Sequence, residues 1–268
     1  MAWSRQGLCI GTLCAAVLAA ATWVSGRPAL AQQTQAPGTT DALATHAIAY
    51  ADCMSQARRA PEKALTIANR WEREGGDEGA RHCRAVALMN TGAYAEAARQ
   101  LESLAATTNR PGKRLKGELL AQAGQAWLIA GRTESALSAQ TRALALVGPE
   151  LELLLDRAIT LASAGAYWKA IDDLNDAIDQ DSRHAGALVL RATAWRKLKN
   201  LDLARDDIER AIAVSPDRAD ALLERGNIRS LRGDKGGAVA DWEAVIAGHP
   251  TSPAADAARE NLEKLKVN

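Results

Sequence analysis

The chain has 268 residues, enough for one large domain or two small ones, and a formal net charge of +1. It contains no Phe, three Tyr and eight Pro, and it is rich in Ala and Leu, so strand formers are scarce and an all-α protein is expected. Acidic and basic residues are interspersed rather than blocked, which argues against a nucleic-acid groove or a surface for anionic membranes.

Residues 1–31 form the first element in chain order. Arg5 precedes the apolar run Leu8–Val24, and Ala29-Leu30-Ala31 makes an A-x-A site, so the segment reads as a signal peptide cleaved after Ala31. The run is also about the length of a membrane span, so an uncleaved leader would act as an anchor. Neither Cys9 nor Cys14 follows a Leu-small-small triplet, which argues against lipidation. The expected destination is the periplasm. Cleavage would leave 31 basic against 32 acidic residues. Residues 32–44, opening QQTQAPGTT, read as a flexible polar linker.

The rest of the chain repeats itself. Units begin near Thr45, Glu78, Gly117, Leu151, Ala185 and Ala219, and the last three steps are each 34 residues. Position 20 of the unit is Ala six times, at Ala64, Ala97, Ala136, Ala170, Ala204 and Ala238. Position 8 is small at Ala85, Gly124, Ala158, Ala192 and Gly226, with Asp52 as the exception. Position 15 is Gly at Gly92, Gly131, Gly165 and Gly233, and Trp127, Leu161 and Trp195 share position 11.

This pattern resembles the tetratricopeptide repeat (TPR), whose period and landmark residue types it shares. The resemblance implies an all-α, right-handed superhelical solenoid of six helix-turn-helix repeats over 45–252. Each repeat pairs a helix A with a helix B, and the small residues at positions 8 and 20 let the two cross closely. Residues 253–268 begin like another helix A but carry Arg259, Glu260, Glu263, Lys264 and Lys266. They read as a polar capping helix.

Two adjacent aspartate pairs, Asp172-Asp173 and Asp206-Asp207, raise the question of acid–base chemistry. The register answers it. Position 7 is Arg157, Arg191 and Arg225 in the last three repeats, and position 23 is Asp173, Asp207 and Asp241. Each Arg is expected to pair with its Asp between the two helices. Neighbouring residues on a helix point about 100° apart, so Asp172 and Asp206 should face solvent. His184 and His249 read as exposed loop residues. No nucleophile elbow, phosphate loop or HExxH occurs, so no enzyme activity, cofactor or metal is expected. Cys53 and Cys83 lie on the first two A helices and read as a disulfide in an oxidising compartment. The alternatives are free thiols, or a metal site with His46 and His82.

The TPR resemblance also implies a concave groove lined by helix A and open to a peptide or protein partner. Its lining maps onto Gln122, Gln125, Leu128 and Ile129, then Leu155 and Ile159, then Val189, Thr193, Arg196 and Lys197, and finally Leu223, Asn227 and Ser230. Apolar anchors beside amides suit an extended peptide. The Lys/Asn clamp that some family members use for acidic chaperone tails is matched only by Asn227. Charge reversal at Arg196 and Lys197 is expected to weaken partner capture without changing thermal unfolding. Trp168 is expected to face outward. The resulting expectation is a non-catalytic periplasmic interaction scaffold of undetermined oligomeric state, without affinity for nucleic acid. The alternatives are an accessory component of a cell-wall or exopolysaccharide enzyme system, or an architectural oligomerisation module.

Overall fold

Why these residues form paired helices is visible at the turns of the computed structural model, which describes residues 39–109 and 112–267. In five repeats the residue after position 15 donates its N–H to the carbonyl of position 11: Ala93 to Leu88, Arg132 to Trp127, Ala166 to Leu161, Asn200 to Trp195 and Asp234 to Arg229, at 2.9–3.0 Å. That bond closes a helix whose next residue has turned left-handed. Gly92, Gly131, Gly165 and Gly233 supply the turn with φ between +72° and +87°, and the fifth repeat makes it with Lys199 at φ +65°.

Among the described residues there are thirteen helices and no strand. The A helices are α1 (Thr39–Arg59), α3 (Asp77–Asn90), α5 (Lys113–Ile129), α7 (Leu151–Ser163), α9 (Ala185–Lys197) and α11 (Ala219–Leu231). The B helices are α2 (Pro61–Arg73), α4 (Tyr94–Thr107), α6 (Thr133–Val147), α8 (Tyr167–Gln180), α10 (Leu201–Val214) and α12 (Lys235–Gly248). The last helix, α13 (Pro253–Val267), packs on α12 and α11. Successive A helices also touch from α5 onward, which makes them the inner layer of an all-α repeat solenoid. No helix of the described residues is long and apolar enough to cross a membrane.

Residues 1–31, read above as a signal peptide, and the expected linker as far as residue 38 lie outside the described residues. From Thr39 the expected linker is instead the first turn of α1. Asp41, Ala42 and Leu43 carry on from Thr39-Thr40 without a helix breaker, so nothing stops the helix there. The third repeat likewise starts its helix at Lys113, ahead of Gly117.

All six position-20 alanines are fully buried. Position 8 packs on them, and also on position 24, which is large and buried: Leu101, Gln140, Leu174, Ile208 and Trp242. Where position 24 is Gln140 or Trp242, position 8 is Gly. A Cβ on Gly124 would stand 2.6 Å from Cγ of Gln140, and one on Gly226 would stand 2.5 Å from the Trp242 indole. In the first repeat Cys53, with its sulfur 3.9 Å from the Ala64 carbonyl oxygen, fills the position-8 role. Helix A of that repeat is therefore offset by one residue against its helix B, which keeps Ala64 at position 20, and Asp52 is exposed.

Candidate functional site

The A-helix layer presents a mixed face with a hollow near each end. In its middle, Ile129 and Ile159 are 57% and 38% exposed. Beside them Gln125 donates to the Asp156 carboxylate at 2.6 Å. Burial pushes the Asp156 carboxyl above the usual aspartate range, opposed by the Gln125 hydrogen bond. Among the described residues no cation lies within ion-pair distance of Asp156. Leu128 is half-buried against the core of the second and third repeats.

Two expected lining residues do not line the face. Leu155 and Val189 are 7% and 6% exposed and belong to the continuous core of repeats four to six. Position 5 is part of that core there, so the packing of repeats consumes it. Thr193 turns its hydroxyl to the Val189 carbonyl of its own helix at 3.0 Å. Leu223 packs on the core under the capping helix.

Arg196 is not a free groove cation either. Its Nε donates to Oε1 of Glu224 at 2.6 Å, and Glu224 is 5% exposed. Asn227 donates to the other Glu224 oxygen at 3.1 Å, and Asn261 of the capping helix donates to Asn227 at 2.8 Å. Reversing Arg196 would leave two carboxylates facing each other with Glu224 out of water, so unchanged unfolding is not expected for that substitution. Lys197 alone of the two is exposed. Arg196, Asn227 and Ser230 share the C-terminal hollow, of about 450 Å³, with Trp242, Asn261 and Lys264.

The N-terminal hollow, of about 870 Å³, was not anticipated by the repeat register. His46 and Tyr50 of α1, His82 of α3, and Glu118 and Gln122 of α5 line it, with Trp71 from the end of α2. His82 is held at both ring nitrogens, by the Tyr50 hydroxyl at 2.8 Å and by Oε1 of Gln122 at 3.1 Å. The density of aromatic and histidine residues in the first two repeats was the available signal. The irregular register there hid which of them share a face.

Away from that face the charged groups are structural. Each arginine at position 7 grips its aspartate with two nitrogens: Arg157–Asp173 at 2.8 and 2.6 Å, Arg191–Asp207 at 2.7 and 2.7 Å, and Arg225–Asp241 at 3.0 and 2.7 Å. The three aspartates are buried, whereas Asp172 and Asp206 are exposed. Hydrogen bonding to Asp173 and to Asp241 raises the Arg157 and Arg225 guanidinium pKa values, so both remain fully charged. The second repeat makes a neutral version, Arg84 to Gln100 at 2.8 Å. The third has Ala123 and Ala139 at those positions, both fully buried.

Cys53 and Cys83 form a disulfide with Cα atoms 6.1 Å apart, which leaves neither sulfur as a thiolate ligand. No group of three potential metal ligands occurs among the described residues. His184 is not a bare loop residue: its Nδ1 accepts from the Ala187 N–H at 3.0 Å and caps α9. His249 is half-buried and bonds the Asp217 carbonyl at 2.7 Å. Trp168 is 60% exposed, with its ring edge-on to Trp195 at 5.5 Å.

No protein-family model matches the sequence, and no curated protein does. Solved structures do match. A tetratricopeptide repeat protein from Parabacteroides merdae aligns with a TM-score of 0.56 at 21% identity, covering 69% of this chain and 77% of that one. MamA from Desulfovibrio magneticus RS-1 aligns at 0.54 and 18% identity over 63% and 93% of the two chains. YrrB, described as a TPR protein with an unusual peptide-binding site, aligns at 0.53 and 20% identity over 68% and 95%.

Proposed function

We propose that this chain, which has the fold of the tetratricopeptide-repeat proteins, is a non-catalytic periplasmic scaffold that holds a peptide or a segment of an envelope protein along its A-helix face. The observation that carries the reading is the middle of that face. Ile129 and Ile159 stay exposed beside a hydrogen-bonded amide and carboxylate, with a hollow toward each end. Apolar anchors alternating with amide groups offer an extended segment both side-chain contacts and backbone partners. The peptide-binding site described for YrrB lends support, since a similar fold there serves the same purpose.

A photoreactive residue placed at Ile159 in the living host tests this reading. It should yield a crosslinked envelope protein that a probe at Asp172, on the outer layer, does not. Equal products from both positions, or none at Ile159, would sink the groove. Mass measurement of the purified chain tests the export reading, which requires a protein beginning at Gln32.

A further inference from the structure

Position 6 of the A helix carries a carboxylate in two of the later repeats, and the two are completed differently. In the sixth repeat it is Glu224, 5% exposed, and Arg196 from position 12 of the preceding A helix donates to it at 2.6 Å. In the fourth repeat it is Asp156, half-buried, and the corresponding position 12 is Leu128. What Asp156 receives from the preceding A helix is an amide, Gln125 Nε2 to Oδ2 at 2.6 Å.

The contrast extends beyond that pair. The buried Asp173, Asp207 and Asp241 each hold an arginine, and the half-buried Glu72 and Glu102 reach Arg84 and Arg142. At Asp156 burial pushes the carboxyl up, the Gln125 bond opposes it, and the charge of Glu152, one turn earlier on α7, adds to the rise. No cation among the described residues offsets these effects.

A carboxylate in this state favours an incoming cation. Part of its desolvation cost is already met in the free chain, so pairing adds attraction without repeating that cost. Gln125 occupies Oδ2, and Oδ1, which has no partner among the described residues, can accept from an ammonium or a guanidinium. Ile129 lies one turn beyond Gln125 on α5, and Ile159 one turn beyond Asp156 on α7. Both are exposed and offer apolar surface to the stem of a long side chain. An acidic side chain would instead meet Asp156 and Glu152 together.

We infer that Asp156, positioned by Gln125, anchors a lysine or arginine side chain of the segment bound along the A-helix face. The ligand thus supplies to Asp156 the cation that Arg196 supplies to Glu224. This rests on the interaction reading above and specifies the charge that the middle of that face accepts.

The test uses the chain as purified from its host, disulfide intact and isotope-labelled at the isoleucine methyls. The probes are acetylated and amidated Ser/Gly/Ala peptides carrying one leucine and a central Arg, Lys, norleucine or Glu. The Ile129 and Ile159 methyl signals should move with the Arg and Lys peptides at about tenfold lower concentration than with norleucine. The Glu peptide should leave them unmoved. Asp156→Asn keeps an oxygen that can accept from Gln125, and it should bring the Arg peptide to the norleucine level while norleucine itself is unchanged. Norleucine or Glu binding as well as Arg would overturn the inference. So would an Arg preference that survives in the Asn variant, or no shift with the Arg and Lys peptides. The groove reading would survive each of these results if a random-sequence peptide pool still moved the Ile129 and Ile159 methyls. It would fall with the inference if that pool left every A-helix signal unmoved.

Discussion

The two ends of the solenoid solve one packing problem differently. In repeats four to six, the cores of Leu154, Leu174, Leu188, Ile208 and Ile228 run continuously from unit to unit. A two-pronged Arg–Asp contact locks each helix pair. In the cluster of α1, α2 and α3 the buried core is mostly alanine with two half-cystines, and Trp71 is the one large residue buried in it. Alanine buries little apolar area, and stabilisation scales with the area removed from water. The disulfide stands where the aliphatic core is thinnest. The irregular end is also the end with the larger hollow, so its walls are held by a bond where packing is sparse.

The largest expected effect comes from removing the staple. Replacing Cys53 and Cys83 by Ala frees a loop of 30 residues, which should cost roughly 3–4 kcal/mol on chain-entropy grounds. Hydrogen exchange should rise in α1–α3 and stay unchanged beyond α7; a uniform rise would show that the two ends unfold as one unit. Next comes Asp207→Ala, which strands the largely buried Arg191 guanidinium. It should lose about 2–3 kcal/mol in chemical denaturation, with protection falling in α9 and α10 rather than in α1–α3.

The third repeat, between the two regimes, offers a gain. Gln140 is fully buried, and neither its amide nitrogen nor its carbonyl oxygen has a hydrogen-bond partner among the described residues. Gln140→Leu should stabilise by about 1–2 kcal/mol, and a drop in Tm would show that the amide is satisfied by water.

Asp156→Asn gives a smaller effect with a pH signature. The folded state raises this carboxyl pKa through burial, so the folded chain binds the proton more tightly than the unfolded one. Stability therefore falls as pH rises through the raised value. The Asn variant should be more stable than the parent at neutral pH. That advantage should vanish once pH drops below the ordinary aspartate range, and a pH-independent difference would refute the cause. The smallest effect is Lys199→Gly. Relief of a left-handed residue at φ +65° is set against the added freedom of the unfolded chain, for a net gain within about 1 kcal/mol.

Much of this architecture was legible in the chain. Position-20 alanines and position-15 glycines mark places where few kinds of residue fit, and they set a count by which α7, α9 and α11 begin at Leu151, Ala185 and Ala219. The Arg–Asp clamps were legible for the same reason, since both members sit on fixed faces of neighbouring helices. The candidate site was less legible. Leu155 and Val189 have the residue type of a groove lining but are buried in the core of repeats four to six, and Arg196 has the type of a ligand-binding cation but is taken by Glu224. Period assigns a residue to a face. It does not say how much of that face the adjacent repeat covers.

Sequence alone therefore determined the helix pairs, their order and the contacts inside each pair, because these depend on spacings of a few residues along a regular helix. Only the tertiary structure decided what remains open to a partner. The Tyr50–His82–Gln122 contacts join three different repeats, and the Arg196–Glu224–Asn227–Asn261 network joins two repeats to the capping helix. Such arrangements depend on the angle at which one repeat stacks on the next, which is set by the summed packing of many side chains rather than by any local spacing.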